Sequence, residues 1–553
     1  MFKKGSKPLP IESIFKLPSS IPEFPPGDGF ATGTIDLGGL QVCQISSFNK
    51  IWSALEGGPN NQGSTFYEPS SIPDGFFMLG CYTQPNNRPL FGWILAAKPN
   101  VNNCFSSQTS LAKPTDYSLI WTSESRKLKQ DGGNCYIWLP TPPQGYKAIG
   151  YVVTNSCDKP SVEKVRCVHS DFTDEIELDR WIWGLDKKIF TDNLDIYETR
   201  PKNRGVNAPS VLTGSFVVQN GDELPSNMSP VYCLKNMESN LVAMPNLSQI
   251  ESLIRAYSPR IHFHPDEQYF PSSVNWFFEN GALLYEKGKE NEPSRIQPDG
   301  SNLPQGGCND GSYWLDLPTD DSAKERVKKG DLAHSCAYFQ IKPMFGGTFT
   351  DIPLWVFYPF NGPARVKVNI FTVPLGKIGE HVGDWEHLTL RVSNYNGELK
   401  NVYFSEHSGG RLIDASEIEF ENGNKPVAYA SLHGHAFYSK PGLVLQGSGL
   451  IGIRNDAKKG SMMMDTGVAA MVVAAEYLGP VVVEPLWLNY SRKWGPKISY
   501  GFANEINKMR KVLPRVIRVA FDKFVRGLPG EVFGEEGPTG PKLKSNWSGD
   551  EKY

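Results

Sequence analysis

The sequence predicts a mainly β protein, with an N-terminal β-prism-like domain and a C-terminal β-sandwich carrying peripheral helices. Three observations point there. Gly (53) and Pro (43) are abundant and long helical patterns are few, which favours short strands and turns. In the first half, a pattern punctuated by Trp, Gly and Pro recurs at an offset of about 70 residues. In the second half, residues 384–392 alternate at period two.

The bulk composition sets bounds. A chain of 553 residues is expected to form two or three domains, and 39% hydrophobic residues with 12% aromatics suffice for large cores. A net charge of −3 gives no footing for a nucleic-acid partner. Nine cysteines, an odd number without CxxC pairs, read as reduced thiols.

Residues 1–30 read as a flexible leader. Lys3, Lys4 and Lys7 are followed by Pro and Ser rather than an apolar segment, so neither a signal peptide nor a membrane span is expected. Residues 31–235 hold the repeat. Its first copy runs through Ile51-Trp52, Gly57-Gly58, Phe66-Tyr67-Glu68-Pro69 and Gly75 to Gly80. Its second runs through Ile120-Trp121, Gly132-Gly133, Ile137-Trp138-Leu139-Pro140 and Gly145 to Gly150. A degenerate third copy is placed from Gly214-Ser215-Phe216 to Pro230-Val231-Tyr232. Three small sheets around one axis would make a prism.

Residues 236–258 read as a linker with a short helix, opened by the capping-box pattern Ser248-Gln249-Ile250-Glu251. Residues 259–502 supply the sandwich, with strands near 337–342, 353–359, 385–392, 401–405, 427–433 and 471–478. The polar stretch 285–333 reads as long loops. The apolar stretch 467–488 is broken by Glu476, Gly479-Pro480 and Glu484-Pro485, so it reads as core strands rather than a transmembrane helix. In 503–553, Ile506, Met509, Leu513, Val516, Ile517, Phe521 and Phe524 recur at helical spacing across a Pro514 break. The rest reads as an extended tail.

The chemistry concentrates in Gly379-Glu380-His381-Val382-Gly383-Asp384-Trp385-Glu386-His387. On a strand from 384 to 392, Asp384, Glu386, Leu388, Leu390 and Val392 share one face, and Trp385, His387, Thr389 and Arg391 the other. Two carboxylates thus share a face with three core-seeking aliphatics, and buried carboxylates need a partner. With His381 at the strand's mouth, either a divalent cation such as Mg²⁺, Ca²⁺ or Mn²⁺ or a structural network through Arg411 or backbone amides meets that need. His433-Gly434-His435 and His407 are further candidates for metal ligation or a hydrogen-bonded pocket, and the resemblance of His435-Ala436 to a His-Ala pair of the necrosis- and ethylene-inducing peptide-like cytolysins implies that His435, with His407, lines a cavity. Arg260 and Asp266 are expected to pair.

His381-x-x-Asp384-Trp385-Glu386 resembles the signature of the necrosis- and ethylene-inducing peptide-like cytolysins. That resemblance implies a divalent cation held by His381, Asp384 and Glu386, with a further ligand at the end of an aromatic strand. Here the strand is Trp355-Val356-Phe357-Tyr358-Pro359-Phe360, and Asn361 stands where the cytolysins carry Asp. Gly383 replaces the signature's second His. The chain also resembles the vacuolar protein sorting-associated protein 62 family, including its plant branch. The marks are Pro259-Arg260-Ile261-His262-Phe263-His264-Pro265-Asp266-Glu267, the stretch from Trp355 to Pro363, that from His381 to His387, and Trp494-Gly495-Pro496. The repeat is similar to those of multivesicular-body-associated β-prism proteins and to adaptor-binding repeats of vacuolar sorting proteins.

These resemblances imply a non-catalytic, cation-containing protein that binds membrane or glycolipid surfaces in endomembrane or vacuolar trafficking. It would be cytoplasmic and peripheral on endomembranes, with anionic or glycosylated lipid headgroups and trafficking proteins as partners. The tail helix is also basic, from Lys508 to Arg526, and offers Lys511, Arg515 and Arg518 as membrane-binding residues; the alternative is that Ile517, Phe521 and Phe524 pack on the protein's own sandwich and the charges solvate the outer face. The alternatives are a metal-dependent hydrolase using His381, Asp384 and Glu386, and a scaffold without metal. No nucleophile elbow, P-loop or HExxH is present.

Overall fold

The computed structural model describes residues 10–100, 109–185, 194–220, 230–238, 241–368, 370–407, 409–448, 451–497, 501–526 and 537–552. It is mainly β and built chiefly of antiparallel sheets. Two compact units divide the chain. One comprises Met1–Gln249, Pro343–Thr350 and Val392–Glu398, and the other Ile250–Lys342, Asp351–Arg391 and Leu399–Tyr553.

In the first unit, three successive segments each build two small sheets. Residues 34–99 supply most of two four-stranded sheets; residues 111–169 and 173–235 supply two three-stranded sheets apiece. The segments meet at Trp52, Trp121 and Trp183, whose rings form a triangle with centroids 5.6–6.0 Å apart. Each of these tryptophans follows an isoleucine. The third copy therefore starts at Ile182-Trp183, upstream of its expected start at Gly214, and a shorter spacing hid it. Gly80 and Gly150 pack backbone to backbone, since a Cβ on Gly80 would lie 2.8 Å from the Gly150 Cα. The described part of the leader is held rather than free. Leu90 exchanges backbone hydrogen bonds with Ser13 and Phe15, and Phe15 packs edge-on against Phe91. The capping box is shifted by two residues: Asn246 Oδ1 accepts the Gln249 N–H at 3.0 Å, and Gln249 Oε1 accepts that of Asn246 at 2.9 Å.

The second unit is centred on one sheet. Six of its strands are β1 (Ala337–Gln340), β2 (Phe349–Asn361), β3 (His381–Ser393), β4 (Leu399–Phe404), β5 (Arg411–Asp414) and β6 (Ala470–Ala474), in the order β5-β4-β3-β2-β1-β6, and a seventh, Lys342–Met344, pairs with β2. β6 pairs parallel at the edge and ends at Ala474, where the turn Glu476–Val481 replaces the expected longer strand. The stretch expected as loops, 285–333, instead carries strands Leu283–Glu286, Ser294–Arg295 and Tyr313–Asp316 and a helix, Asp321–Lys328, capped by Asp320. Trp355, Phe357, Trp385, Trp487, Trp494 and Trp547 make an aromatic core on one side of the sheet.

Pro514 separates two helices, α1 (Phe502–Val512) and α2 (Arg515–Arg526). Ile506, Met509, Leu513 and Phe521 are buried among Val366, Val368, Val373, Leu375 and Ile378. The side chains of Val516, Ile517 and Phe524 lie outside the described ones. The tail is docked rather than extended. Trp547 enters the aromatic core, and Lys342 Nζ donates to the carbonyls of Asn546 (2.6 Å) and Gly549 (2.9 Å).

Candidate functional site

The site is built on β3. Gly383 has φ +66°, and a Cβ there would lie 2.4 Å from the Trp494 carbonyl oxygen, so no side chain fits at that position. This glycine breaks the strand's alternation. Val382 and Trp385 both enter the aromatic core. His381 and Asp384 lie on the other face, where their charges act on each other. Period two then resumes. Glu386 follows Asp384, while His387, Thr389 and Arg391 face the tail.

Asp384 is buried, with Oδ2 3.3 Å from His435 Nδ1, which donates to it in the Nδ1-protonated tautomer. Glu386 accepts from Ser405 Oγ at 2.9 Å. His381 Nδ1 lies 3.1 Å from the Gly383 carbonyl, a contact that fixes the proton there and leaves Nε2 its lone pair. Asn361 spends its amide nitrogen on the carbonyls of Gly379 (2.7 Å) and Gly362 (3.1 Å), leaving its oxygen for a ligand. His435 is fully buried and stacked on Tyr358, with centroids 3.9 Å apart. Its Nε2 has no hydrogen-bond partner among the described residues. His433 and His435 both adopt left-handed backbone, at φ +68° and +55°. Such conformations cost about 1–2 kcal/mol each and persist only where the surroundings impose them.

What imposes them is Glu267, a residue the sequence reading passed over in favour of Asp266. Its buried carboxylate accepts the backbone N–H groups of Gln268 and Tyr269 at 2.9 Å and of His433 at 2.7 Å, tying down the loop that carries His435. The signal was available in the apolar setting of Ile261, Phe263 and Tyr269 around it. Arg260 does not pair with Asp266. It meets Glu421 at 3.3 Å, and Asp266 is exposed. His407 is exposed, and among the described residues the acid pair accepts its side-chain hydrogen bonds from Ser405 and His435 rather than from Arg411.

The electrostatics are unbalanced. Loss of water around Glu386, together with the charge of Asp384, pushes its carboxyl well above the usual range. Burial alone would also raise Asp384. The His435 hydrogen bond and the charges of His381, His435 and Lys544 outweigh that and hold it below its ordinary value. Burial lowers His381, favouring neutral imidazole. The pair therefore shares roughly one negative charge. The donors fit a hard divalent cation in kind: two carboxylates, an amide oxygen and imidazole nitrogens with lone pairs. They are not preassembled. Among the described residues, no group of three or more His, Cys, Asp or Glu side chains is arranged to hold a metal ion.

Lys511 and Arg515 are exposed, and Arg518 is half-buried. The apolar side chains that a membrane-lying helix would submerge, Ile506, Met509, Leu513 and Phe521, are covered by the protein's own sheet. Among the described residues, no helix is long and apolar enough to cross a membrane.

A family profile described as vacuolar protein sorting-associated protein 62 matches residues 11–551. The protein of that name from Saccharomyces cerevisiae is 26% identical over 216 residues, covering 34% of this chain and 44% of the yeast protein. The match thus spans less than half of that relative's length. Among solved structures, GNIP1Aa from Chromobacterium piscinae is similar with 17% identity and a TM-score of 0.30, covering 40% of each chain. NLPPya in complex with glucosamine is similar with 12% identity and a TM-score of 0.24, covering 48% of this chain and 93% of that one. At these TM-scores the likeness carries no weight for function.

Proposed function

Because the chain belongs to the vacuolar protein sorting-associated protein 62 family, we propose that it is a non-catalytic binding protein of vacuolar and endomembrane trafficking. In this reading its second unit takes a divalent cation on Asp384 and Glu386, with His381 and Asn361 completing the donors. A cation in that position supplies positive charge and open coordination positions for the hydroxyls or phosphates of a lipid or glycolipid headgroup. The protein would act as a peripheral component on the cytoplasmic side of endomembranes.

One observation supports this most: a buried acid pair whose direct hydrogen-bond partners are an imidazole and a hydroxyl. Its nearest partners are His435 at 3.3 Å and the Ser405 hydroxyl at 2.9 Å. A cation would displace the shared proton, so binding should release protons and strengthen as pH rises. Calorimetry of the full chain with Mg²⁺, Ca²⁺ and Mn²⁺ in two buffers of different ionisation enthalpy tests this. Wild type should bind at least one of them with proton release, and Asp384→Asn, Glu386→Gln should bind none. Absence of binding to all three at millimolar concentration would remove the reading. It would leave the scaffold alternative, which draws on the lack of a preassembled ligand group. Glycoside hydrolysis draws less support, because both acids project from one face of one strand and cannot flank a sugar bond.

A further inference from the structure

The second unit has a basic basin that the acid pair does not touch. It is a cavity of about 800 Å³ lined by Lys377, Lys508, Arg510, Lys511 and Arg518, with Asn504, Asn507 and Glu505 between them. α1 and α2 supply all of these except Lys377, which comes from the turn following strand Phe371–Pro374. The helices' apolar sides are already used against the sheet, so the charges are what the basin offers a partner.

Two of the cations are neutralised internally. Lys508 meets Glu505 at 2.7 Å, and Arg510 meets Asp522 of α2 at 2.9 Å. Arg518 donates from Nε to the Leu513 carbonyl at 2.9 Å and from Nη2 to that of Lys511 at 3.5 Å, neutral contacts that leave its charge uncompensated and further N–H groups for a ligand. Lys377 and Lys511 stand outside these pairs. Three positive charges facing one concavity repel one another and focus potential into it, so the basin favours a multiply charged anion. Lysine ammonium groups suit phosphate as point charges, and a guanidinium can grip it bidentately. The Asn504 and Asn507 amides provide donors and acceptors for hydroxyls.

We infer that this basin binds a multiply phosphorylated polyol headgroup, with Lys377, Lys511 and Arg518 contacting its phosphates. The headgroup can belong to a membrane lipid or to a soluble phosphate. Both share the recognised chemistry, and the experiment separates them.

Inositol hexakisphosphate is titrated into the full chain at low ionic strength, and vesicles of phosphatidylcholine are matched in total charge with either phosphatidylserine or phosphatidylinositol bisphosphate. The soluble probe should bind, and Lys377→Glu with Lys511→Glu should weaken it at least tenfold at an unchanged unfolding temperature. If that variant fails to fold, Lys377→Gln with Lys511→Gln should still weaken binding severalfold. Preferential capture by the bisphosphate vesicles, blocked by the soluble probe, assigns the headgroup to a lipid. Binding of the soluble probe without vesicle capture assigns it to a free phosphate. No binding of the soluble probe, binding that survives both variants, or equal capture by the two charge-matched vesicles would overturn the proposal.

Discussion

The two faces of β3 carry polar clusters of similar size and opposite character. On the tail side, Arg391 grips Asp351 through two contacts of 2.8 Å and Asp550 through one of 2.6 Å. Thr389 and His387 meet Glu551, and Tyr403 donates to the Lys552 carbonyl at 2.9 Å. Each of the three carboxylates there thus has a basic side chain as direct partner, Arg391 for Asp351 and Asp550 and His387 for Glu551, while burial still raises Asp351 and lowers Lys342. On the other side, Asp384, Glu386 and Glu267 are faced by His381 and His435, burial disfavours the charged form of His381, and the Lys544 charge acts on the acid pair without a direct contact. The same strand thus presents a balanced cluster and a frustrated one. A balanced cluster fastens a segment; a frustrated one stores unmet electrostatic demand, which a ligand can satisfy.

The contrast breaks most visibly at Arg391. Arg391→Met strands Asp351 and Asp550 as uncompensated buried charges, and should cost about 3–5 kcal/mol. Chemical denaturation of the full chain, with hydrogen exchange on peptides from β3 and 537–552, measures it. A loss below about 1 kcal/mol would mean that the tail cluster does not fasten the tail.

Glu551 sharpens the contrast through pH. Burial alone would raise its carboxyl, but the charge and hydrogen bond of His387, helped by Lys342 and Thr389, pull it down to about 2. Its ordinary value is 4.5. A depressed folded value means the unfolded chain binds the proton more readily. The stabilisation is therefore complete above that ordinary value and disappears as pH falls through it towards 2. The shift corresponds to about 3 kcal/mol. Tail protection from hydrogen exchange should fall over that window in wild type, and Glu551→Gln should flatten the dependence. An unchanged profile in the variant would contradict this role.

The sequence showed one side of this contrast better than the other. Period two placed Asp384 and Glu386 together, opposite His387, Thr389 and Arg391, because strand alternation is local. It did not show the break in alternation at Gly383, because the close approach of Trp494 that bars a side chain there comes from far along the chain. The tail's docking was hidden for a similar reason. One tryptophan and a few acids carry no periodicity, and their partners on β1, β2 and β3 become visible only once folded. Glu267 was missed because its task is to accept backbone N–H groups, which leaves no mark on residue type. The repeat was legible in two copies and misplaced in the third, where the Trp spacing shortens.

The smallest effect in stability is the most telling. Without divalent cation, Asp384→Asn with Glu386→Gln removes a strained acid pair, so the full chain should change by less than about 1 kcal/mol or become more stable. With cation at a hundredfold excess over its dissociation constant, wild type should gain about 3 kcal/mol and the double variant nothing. Thermal and chemical unfolding of both proteins, with chelator and with each of Mg²⁺, Ca²⁺ and Mn²⁺, reads this directly. The account predicts the crossing pattern: variant equal or better in chelator, wild type better with cation. A double variant that loses about 3 kcal/mol or more in chelator, with no cation raising wild type, would show that the acid pair is a fastening like the one on the opposite face.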